Sequence, residues 1–479
     1  MTGGRVTRGW AIALAATFAA AAALRLAGLG SSLWYDEIVT LVISARLPIR
    51  QIVTVYPDTN VHPLYSLLAH ASIEAFGESA WALRLPAALF GIGSVVMAYV
   101  LGARLMARPA AWAGAAILAS SYHHIWFSQN ARGYTLMGFM ALASTWLLLR
   151  AAESGRRRDY AWYALACVAG VYAHLTMALV VAGQAAVVLA GRAIRWWPAM
   201  QVPVRPALLS WALAALLAAA AYAPYMPALL SNLGGADAPQ RAAEVATTSW
   251  AIGEAARSLL SGSGAVAALA GLLVGGAGAV SLWRRRPLAT ALLVAPAVFT
   301  LAAIVVLGQP MRPRFFFFMS GAAAIFVGRG IAAFVEALAP ARLFARPAGL
   351  TGAMVVSTLV LVASSAAPLS RNYQVPKQDF DGVISYLETM EATGAEVAIA
   401  DPACLPFERY YNKRWTCLSE DADWPRAASG GARVVVAYTL VDYVGDAALR
   451  QRLNTECVVE RRFPGTLGGG DFTVCEARP

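Results

Sequence analysis

Charged residues make up only 14% of this 479-residue chain, whereas 59% are hydrophobic. So few polar side chains cannot cover a water-facing exterior, which excludes a soluble globular protein of this size. Other signatures are missing too. There is no P-loop glycine pattern, no HExxH pair and no GxSxG element, so the chemistries those motifs support have no carrier here. No solenoid-type repeat is present. The five cysteines show no CxxC spacing, which speaks against a structural zinc site.

What is present is apolar and long. Mean hydropathy is +0.57, and the apolar residues fall into blocks of roughly 18–22, the length a helix needs to cross ~30 Å of hydrocarbon. Eleven spans are expected, at 10–28, 83–103, 110–127, 134–150, 160–174, 176–191, 207–224, 264–283, 288–307, 315–335 and 348–365. Alternate loops then separate by charge. One set carries Arg5 and Arg8, Arg104 and Arg108, Arg150 with Arg156–Arg158, Arg192, Arg195 and Arg205, Arg284–Arg286, and Arg342 with Arg346. Basic loops stay in the cytoplasm, so span number and orientation support each other. The count depends on a break at Tyr172–Thr176, because a single span over 160–191 would invert everything downstream. The formal charge of +11 is explained by these loops, and no nucleic-acid partner is expected. The N-terminal run resembles a signal peptide but continues past Arg25 to Gly30, which favours an uncleaved anchor. This reading puts the N-terminus in the cytoplasm and the protein in a bacterial-type cytoplasmic (inner) membrane. No soluble inner domain remains to house a cytoplasmic nucleotide-sugar enzyme.

Two extracytoplasmic segments are large. In the first, 29–82, Leu64, Leu67, Leu68, Ala71, Ala75 and Phe76 repeat at helical spacing opposite Ser66, His70 and Glu74. A helix lying on the membrane fits this pattern, with a second, weaker one around Ile43–Val53. From 366 the composition turns acidic and polar, with Pro368 and Pro376 marking a linker. Runs at 396–400, 433–437, 457–462 and 472–476 read as strands, and 379–391 and 445–453 as helices, which makes a small α/β domain. The organisation is a membrane domain over 1–365, with a large outer loop at 29–82, and an extracytoplasmic α/β domain over 366–479. Cys404, Cys417, Cys457 and Cys475 all fall in the latter, an even number that suggests two disulfides. Three pairings are open to four cysteines, and the nearest-neighbour one, Cys404–Cys417 with Cys457–Cys475, is taken as the expectation.

The spans are nearly free of ionisable residues, which argues against ion or substrate coordination at the midplane. Polar residues gather instead in the outer loops. Asp36 and Glu37 follow Trp34-Tyr35 just beyond the first span; they suit general-base chemistry, or a solvated pair beside an aromatic belt. His62 precedes the helix-starting Pro63 and either lines a pocket or merely enters the turn. Arg132, followed by Tyr134, runs against the positive-inside bias, as do Arg312 and Arg314 before Phe315–Phe318. Guanidiniums there fit a phosphate group or headgroup anchoring.

In order and placement, several segments resemble glycosyltransferase family 39 and its bacterial relatives. They are Trp34-Tyr35-Asp36-Glu37, His62-Pro63, Leu83-Arg84-Leu85-Pro86, the Ser-Gln-x-Ala-Arg-x-Tyr segment at 128–134, and the basic–aromatic stretch 312–316. These belong to the GT-C membrane glycosyltransferases, which include protein O-mannosyltransferases and lipid A aminoarabinose transferases. The resemblance covers about the first 335 residues. It implies a polytopic α-helical membrane protein of GT-C type with about 11 transmembrane helices, here followed by the small C-terminal α/β domain. It further implies a polyprenyl-phosphate-linked sugar donor, an acceptor glycan, lipid or protein, and transfer with inversion at the anomeric carbon. By the same resemblance Asp36 is the general base, Glu37 orients it or the acceptor, and Arg132, Arg312 and Arg314 neutralise the departing phosphate. His62, Tyr134 and His174 line the sugar pocket. Asn130 stands where many bacterial relatives carry Glu, so no cofactor and no obligatory divalent metal is expected. Two alternatives stay open: a lipid-linked (pyrophosphate) oligosaccharide ligase or polymerase, and a non-enzymatic flippase for a lipid-linked sugar. The C-terminal domain matches no family; it recognises acceptor, braces the first outer loop, or binds a partner.

Overall fold

The computed structural model describes residues 8–55, 61–193, 201–227, 268–306, 312–338, 347–364, 366–424 and 433–477. The bundle helices are α1 (Arg8–Leu26), α5 (Ala80–Leu105), α6 (Arg108–Ser120), α8 (Tyr134–Ser154), α9 (Arg157–Ala173), α10 (Met177–Ala193), α11 (Val204–Tyr222), α12 (268–285), α13 (Pro287–Val306), α14 (Met319–Leu338) and α15 (Pro347–Ser364). A helix therefore stands over each of the eleven expected spans; residues 264–267, 307 and 365 of those spans lie outside the described residues. Among the described residues, six helices are long and apolar enough to cross a membrane unaided: α1, α5, α8, α11 continued to Tyr225, α13 and α14. The bent pair Gly349–Ser364 and Pro368–Gln374 makes a seventh. The protein is a multi-pass membrane protein.

The chain does break between the fifth and sixth spans, since α9 ends at Ala173 and α10 begins at Met177. Two boundaries differ. The third span is cut at Ser121, whose hydroxyl accepts from His124 N at 3.4 Å and starts a separate short helix, α7 (Tyr122–Ser128). The tenth begins four residues late because Pro313 opens a 3-10 turn over Pro313–Phe316 ahead of α14. The spans are also less free of charge than the sequence suggested. Arg25, Arg84 and Arg329 sit within helices, and all three are buried. Close packing comes from small residues. A Cβ on Gly114 would stand 2.7 Å from Ala324 O, so α6 and α14 meet backbone to backbone.

Between α1 and α5 the chain forms α2 (Tyr35–Thr40), a π turn over Leu41–Ala45, α3 (Ile49–Ile52) and α4 (Pro63–Phe76). In α4 the buried side is Tyr65, Ser66, Ala69, Ser72 and Ile73. The apolar stripe faces away from the protein, with Phe76 58% exposed, as a helix lying on lipid requires.

The expected linker is itself helical. Helix α16 (Ala366–Gln374) reaches back to the end of α1, where Tyr373 Oη donates to Leu24 O at 2.5 Å. Beyond it come α17 (Phe380–Ala392), β1 (Glu396–Ala400), α18 (Cys404–Arg409), β2 (Thr416–Leu418), β3 (Val434–Tyr438), α19 (Ala447–Thr455), β4 (Cys457–Phe463) and β5 (Phe472–Ala477). The sheet order is β2-β1-β3-β5-β4; β1 is parallel to β2 and β3, and β5 is antiparallel to β3 and β4. The sequence missed β2 and α18, both too short for a periodicity signal. Disulfides join Cys404 to Cys417 and Cys457 to Cys475, as expected, and Cys167 is free and buried.

One face of the sheet does more than close its own domain. Phe380, Val383, Val397, Ile399, Val435 and Phe472 share a continuous core with Leu33, Ile38 and Leu41 of the first loop and Tyr65 of α4. The C-terminal domain and the loop at 29–82 thus pack as one body. Of the three roles left open for this domain, bracing the first loop is the one seen in the contacts.

Candidate active site

Helix α2 presents two adjacent carboxylates, and successive helix positions lie ~100° apart. They therefore meet different surroundings. Asp36 retains 11% side-chain exposure, whereas Glu37 has none.

Glu37 is enclosed by donors. Arg84 Nε reaches its Oε1 at 2.7 Å and Arg84 Nη2 its Oε2 at 2.5 Å, the bidentate geometry of a strong pair. Ala131 N donates to Oε1 at 2.8 Å and Trp34 N to Oε2 at 3.3 Å, while Lys377 Nζ stands 3.5 Å from Oε1. Burial alone would push this carboxyl up, but the charges of Arg84 and Lys377 outweigh it and hold Glu37 below the usual carboxylate range. Glu37 cannot touch an acceptor, which corrects that part of the expectation. It anchors α2, and Asp36 with it.

Asp36 faces two guanidiniums. Its Oδ2 lies 3.7 Å from Arg132 Nη1 and 4.0 Å from Arg314 Nη1. Arg132 comes from the turn between α7 and α8, and Arg314 from the 3-10 turn before α14, so three distant segments converge. Tyr134 raises Arg314, burial opposes this, and Asp36 adds to the rise, so Arg314 stays charged. Arg312 stands one step further out. Its Nη1 donates to Tyr443 Oη at 2.6 Å and its guanidinium lies 5.2 Å from the centre of that ring. Gln309, Pro310 and Met311 lie outside the described residues.

His62, Tyr134 and His174 form a stack. Ring centres are 4.7 Å apart between the histidines, 5.5 Å from His62 to Tyr134 and 5.0 Å from His174 to Tyr134. Burial, then the charge of Arg132, pushes His62 well below the usual histidine range. Burial, Arg132 and Arg314 push His174 down to about 3. Both rings are neutral at neutral pH, and the backbone fixes their tautomers. His62 Nδ1 lies 3.0 Å from Ala173 O, which only accepts, so the proton is on Nδ1 and Nε2 is an acceptor. That Nε2 is buried with no partner among the described residues. His174 Nδ1 accepts from Thr176 N at 3.2 Å, so its proton is on Nε2. The stack therefore offers one acceptor and one donor, which suits a pair of hydroxyls. A cavity of about 10 Å³ lined by Thr40, Ser44, His62, Ser66 and Arg132 is room for about one water, not for a sugar.

Gly133 holds the stack together. A Cβ there would collide with Ala173 O and stand 3.0 Å from His62 Nδ1. We expect Gly133→Ala to lower kcat/KM by up to about 10²-fold, the cost of roughly 1 Å of misplacement, with unchanged elution in detergent; steady-state kinetics checks this.

Asn130, which departs from the family pattern, is a tie: its Oδ1 accepts from Trp34 Nε1 at 3.2 Å. Among the described residues, Asp401 lies with Cys404 and Cys417 in a cluster of metal-ligand type, but both sulfurs are bound in the disulfide. Sequence reasoning quoted Arg84 without a role and missed Lys377 and Gln378. A buried arginine inside an apolar helix was the available signal for the first; the other two carried none.

Comparison with known proteins agrees with this architecture. Residues 60–225 match the family of dolichyl-phosphate-mannose-protein mannosyltransferases. ArnT from Cupriavidus metallidurans bound to undecaprenyl phosphate is similar in fold, with TM-score 0.58, 12% identity, and 99% of this chain and 100% of that chain covered. So is the archaeal oligosaccharyltransferase AglB from Archaeoglobus fulgidus, in complex with an inhibitory peptide and a dolichol-phosphate. There the TM-score is 0.55, identity is 12%, and 96% of this chain and 73% of that chain are covered. No curated protein matches the chain by sequence. The chain has the fold of the GT-C membrane glycosyltransferases.

Proposed function

We propose that the protein transfers a sugar from a polyprenyl-phosphate donor to an acceptor hydroxyl at the extracytoplasmic face of the cytoplasmic membrane, with inversion at the anomeric carbon. The observation that carries this reading is Asp36 set between Arg132 and Arg314, at 3.7 and 4.0 Å. Two cations against one carboxylate leave the site net positive, so an anion completes it. A bound phosphate pairs its oxygens with the same two guanidiniums, which stay beside Asp36. Asp36 then takes the acceptor hydroxyl proton as the acceptor oxygen attacks the anomeric carbon. The bond from that carbon to the phosphate oxygen breaks, its electron pair leaves with the lipid phosphate, and Arg132 and Arg314 stabilise the charge that develops. In this conformation His62 Nε2 faces room for about one water, so it and His174 Nε2–H take sugar hydroxyls only once donor binding opens the ring stack.

Full-length protein in detergent, given a panel of polyprenyl-phosphate sugars and a membrane-extract acceptor, should release polyprenyl phosphate. We expect release to persist in chelator, since the chemistry above uses only side chains. Arg312, next beyond Arg314, would reach a second phosphate, and this favours the lipid-diphosphate ligase as the second reading. Turnover with diphosphate donors alone would establish that reading and overturn the first.

A further inference from the structure

Of the 38 Lys and Arg residues only Lys377 and Lys413 are lysine, and Lys377 lies buried beside the catalytic helix, 9% exposed. It belongs to the short connection between α16 and α17, where nothing local in the sequence marks it. Its ammonium touches two separate elements. Nζ is 3.5 Å from Glu37 Oε1 on α2 and donates to Gln129 O in the turn that carries Arg132. It also lies 5.2 Å from the centre of the Trp126 ring. The neighbouring Gln378 Oε1 accepts from Tyr35 N at 2.8 Å, the amide just before Asp36.

We propose that Lys377 is a positioning residue which, acting through Glu37 and Gln129 O, fixes Asp36 relative to Arg132. The assignment rests on the transferase reading above. Asp36 and Arg132 come from different segments, and their 3.7 Å separation must be held by something rigid. Glu37 Oε1 takes one end, by accepting from Ala131 N; the ammonium takes the other, by bridging the same carboxylate to Gln129 O. The lysine backbone is itself pinned by the β4–β5 connection, where Leu467 N donates to Lys377 O at 3.2 Å and Thr466 N to Pro376 O at 2.9 Å. Packing alone does not call for a charge here. An apolar side chain would fill the space without the cost of desolvation, and that burial pushes the ammonium down to about 7, with Glu37 opposing it.

Wild type, Asp36→Asn and Lys377→Met, all full length in detergent, would be compared by steady-state kinetics and by hydrogen exchange. We expect Lys377→Met to lower kcat about 10- to 100-fold while KM for the donor changes less than about twofold, the split expected when only the reacting geometry is lost. Amides of α2 should lose exchange protection while those of β1 and β3 keep theirs. Unchanged kcat in Lys377→Met beside an inactive Asp36→Asn overturns the assignment and leaves the transferase reading standing. Loss of protection throughout the sheet also overturns it, because the lysine then serves the fold. If Lys377→Met does not fold, Lys377→Gln replaces it, and failure of both to fold is again an overturning result. If wild type turns over no lipid-phosphate donor, the transferase reading fails; selective exposure of α2 in the exchange data would still support the brace, and its absence would overturn it.

Discussion

Asp36→Asn should lower turnover by at least ~100-fold with the fold intact, because a well-placed general base contributes about 10²–10⁴ in rate, or about 3–5 kcal/mol of barrier. The amide keeps the shape of the carboxylate but cannot take a proton. The substitution is mild for the fold because, among the described residues, the Asp36 carboxylate makes only the long contacts of 3.7 and 4.0 Å to Arg132 and Arg314, and the donors around α2 are engaged by Glu37. Donor binding should be kept or improved, since the two arginines lose a competing anion. Release of polyprenyl phosphate at saturating donor measures the first effect, and donor KM the second. A mutant that matches wild type would remove Asp36 as the base. A flippase would release no polyprenyl phosphate from either protein, and midplane substitutions, not this one, should abolish its function.

Glu37→Ala, one residue on, should act on stability first. Removing one partner of a buried ion pair costs about 3–5 kcal/mol because the other charge is left uncompensated, a large part of a typical stability of about 5–15 kcal/mol. Here Arg84 is the cation left stranded, whereas Lys377, already pushed down to about 7 against the opposing charge of Glu37, sheds its proton. Arg84 would keep its bonds to Leu29 O at 2.8 Å, Ser31 O at 2.6 Å and Ser32 O at 2.9 Å, so the start of the loop should survive while α2 loses its anchor. A lowered unfolding midpoint and early aggregation in detergent are the expected readings. Glu37→Gln, which keeps the shape without the charge, should fall between mutant and wild type. An unchanged midpoint for Glu37→Ala would mean that α2 is held by its apolar contacts alone.

These two carboxylates also show how far the sequence could be read. Adjacent in a motif, they look equivalent, and only the direction of a helix whose neighbours come from elsewhere separates a reactive group from a sealed one. What is local was legible. Apolar length marked the helices, β-branched runs marked β1 and β3, and the grouping of cysteines in one small domain pointed to two disulfides without deciding their pairing. The convergence of Asp36, Arg132 and Arg314 was legible only as three outer-loop charges that topology left without a reason. The stack of His62, Tyr134 and His174 was expected as a pocket, but its fixed tautomers depend on Ala173 O and Thr176 N, which no pattern reveals. Lys377 and Gln378 were illegible for a plainer reason. Hydrophobic period reports on neighbours three or four residues apart, whereas Tyr35 and Gln378 are 343 residues apart in the chain.

That separation has a consequence for how the protein is made. Synthesis proceeds at about 5–20 residues per second, so those 343 residues take roughly 17–70 s. For most of that interval the helix bearing Asp36 has already been made, but Lys377 and Gln378 do not yet exist. Nascent chains must therefore carry the pair Glu37 and Arg84 without its third member, Lys377. A segment made late thus completes an arrangement begun early, so the surroundings of Asp36 are finished only after residue 378 has been made.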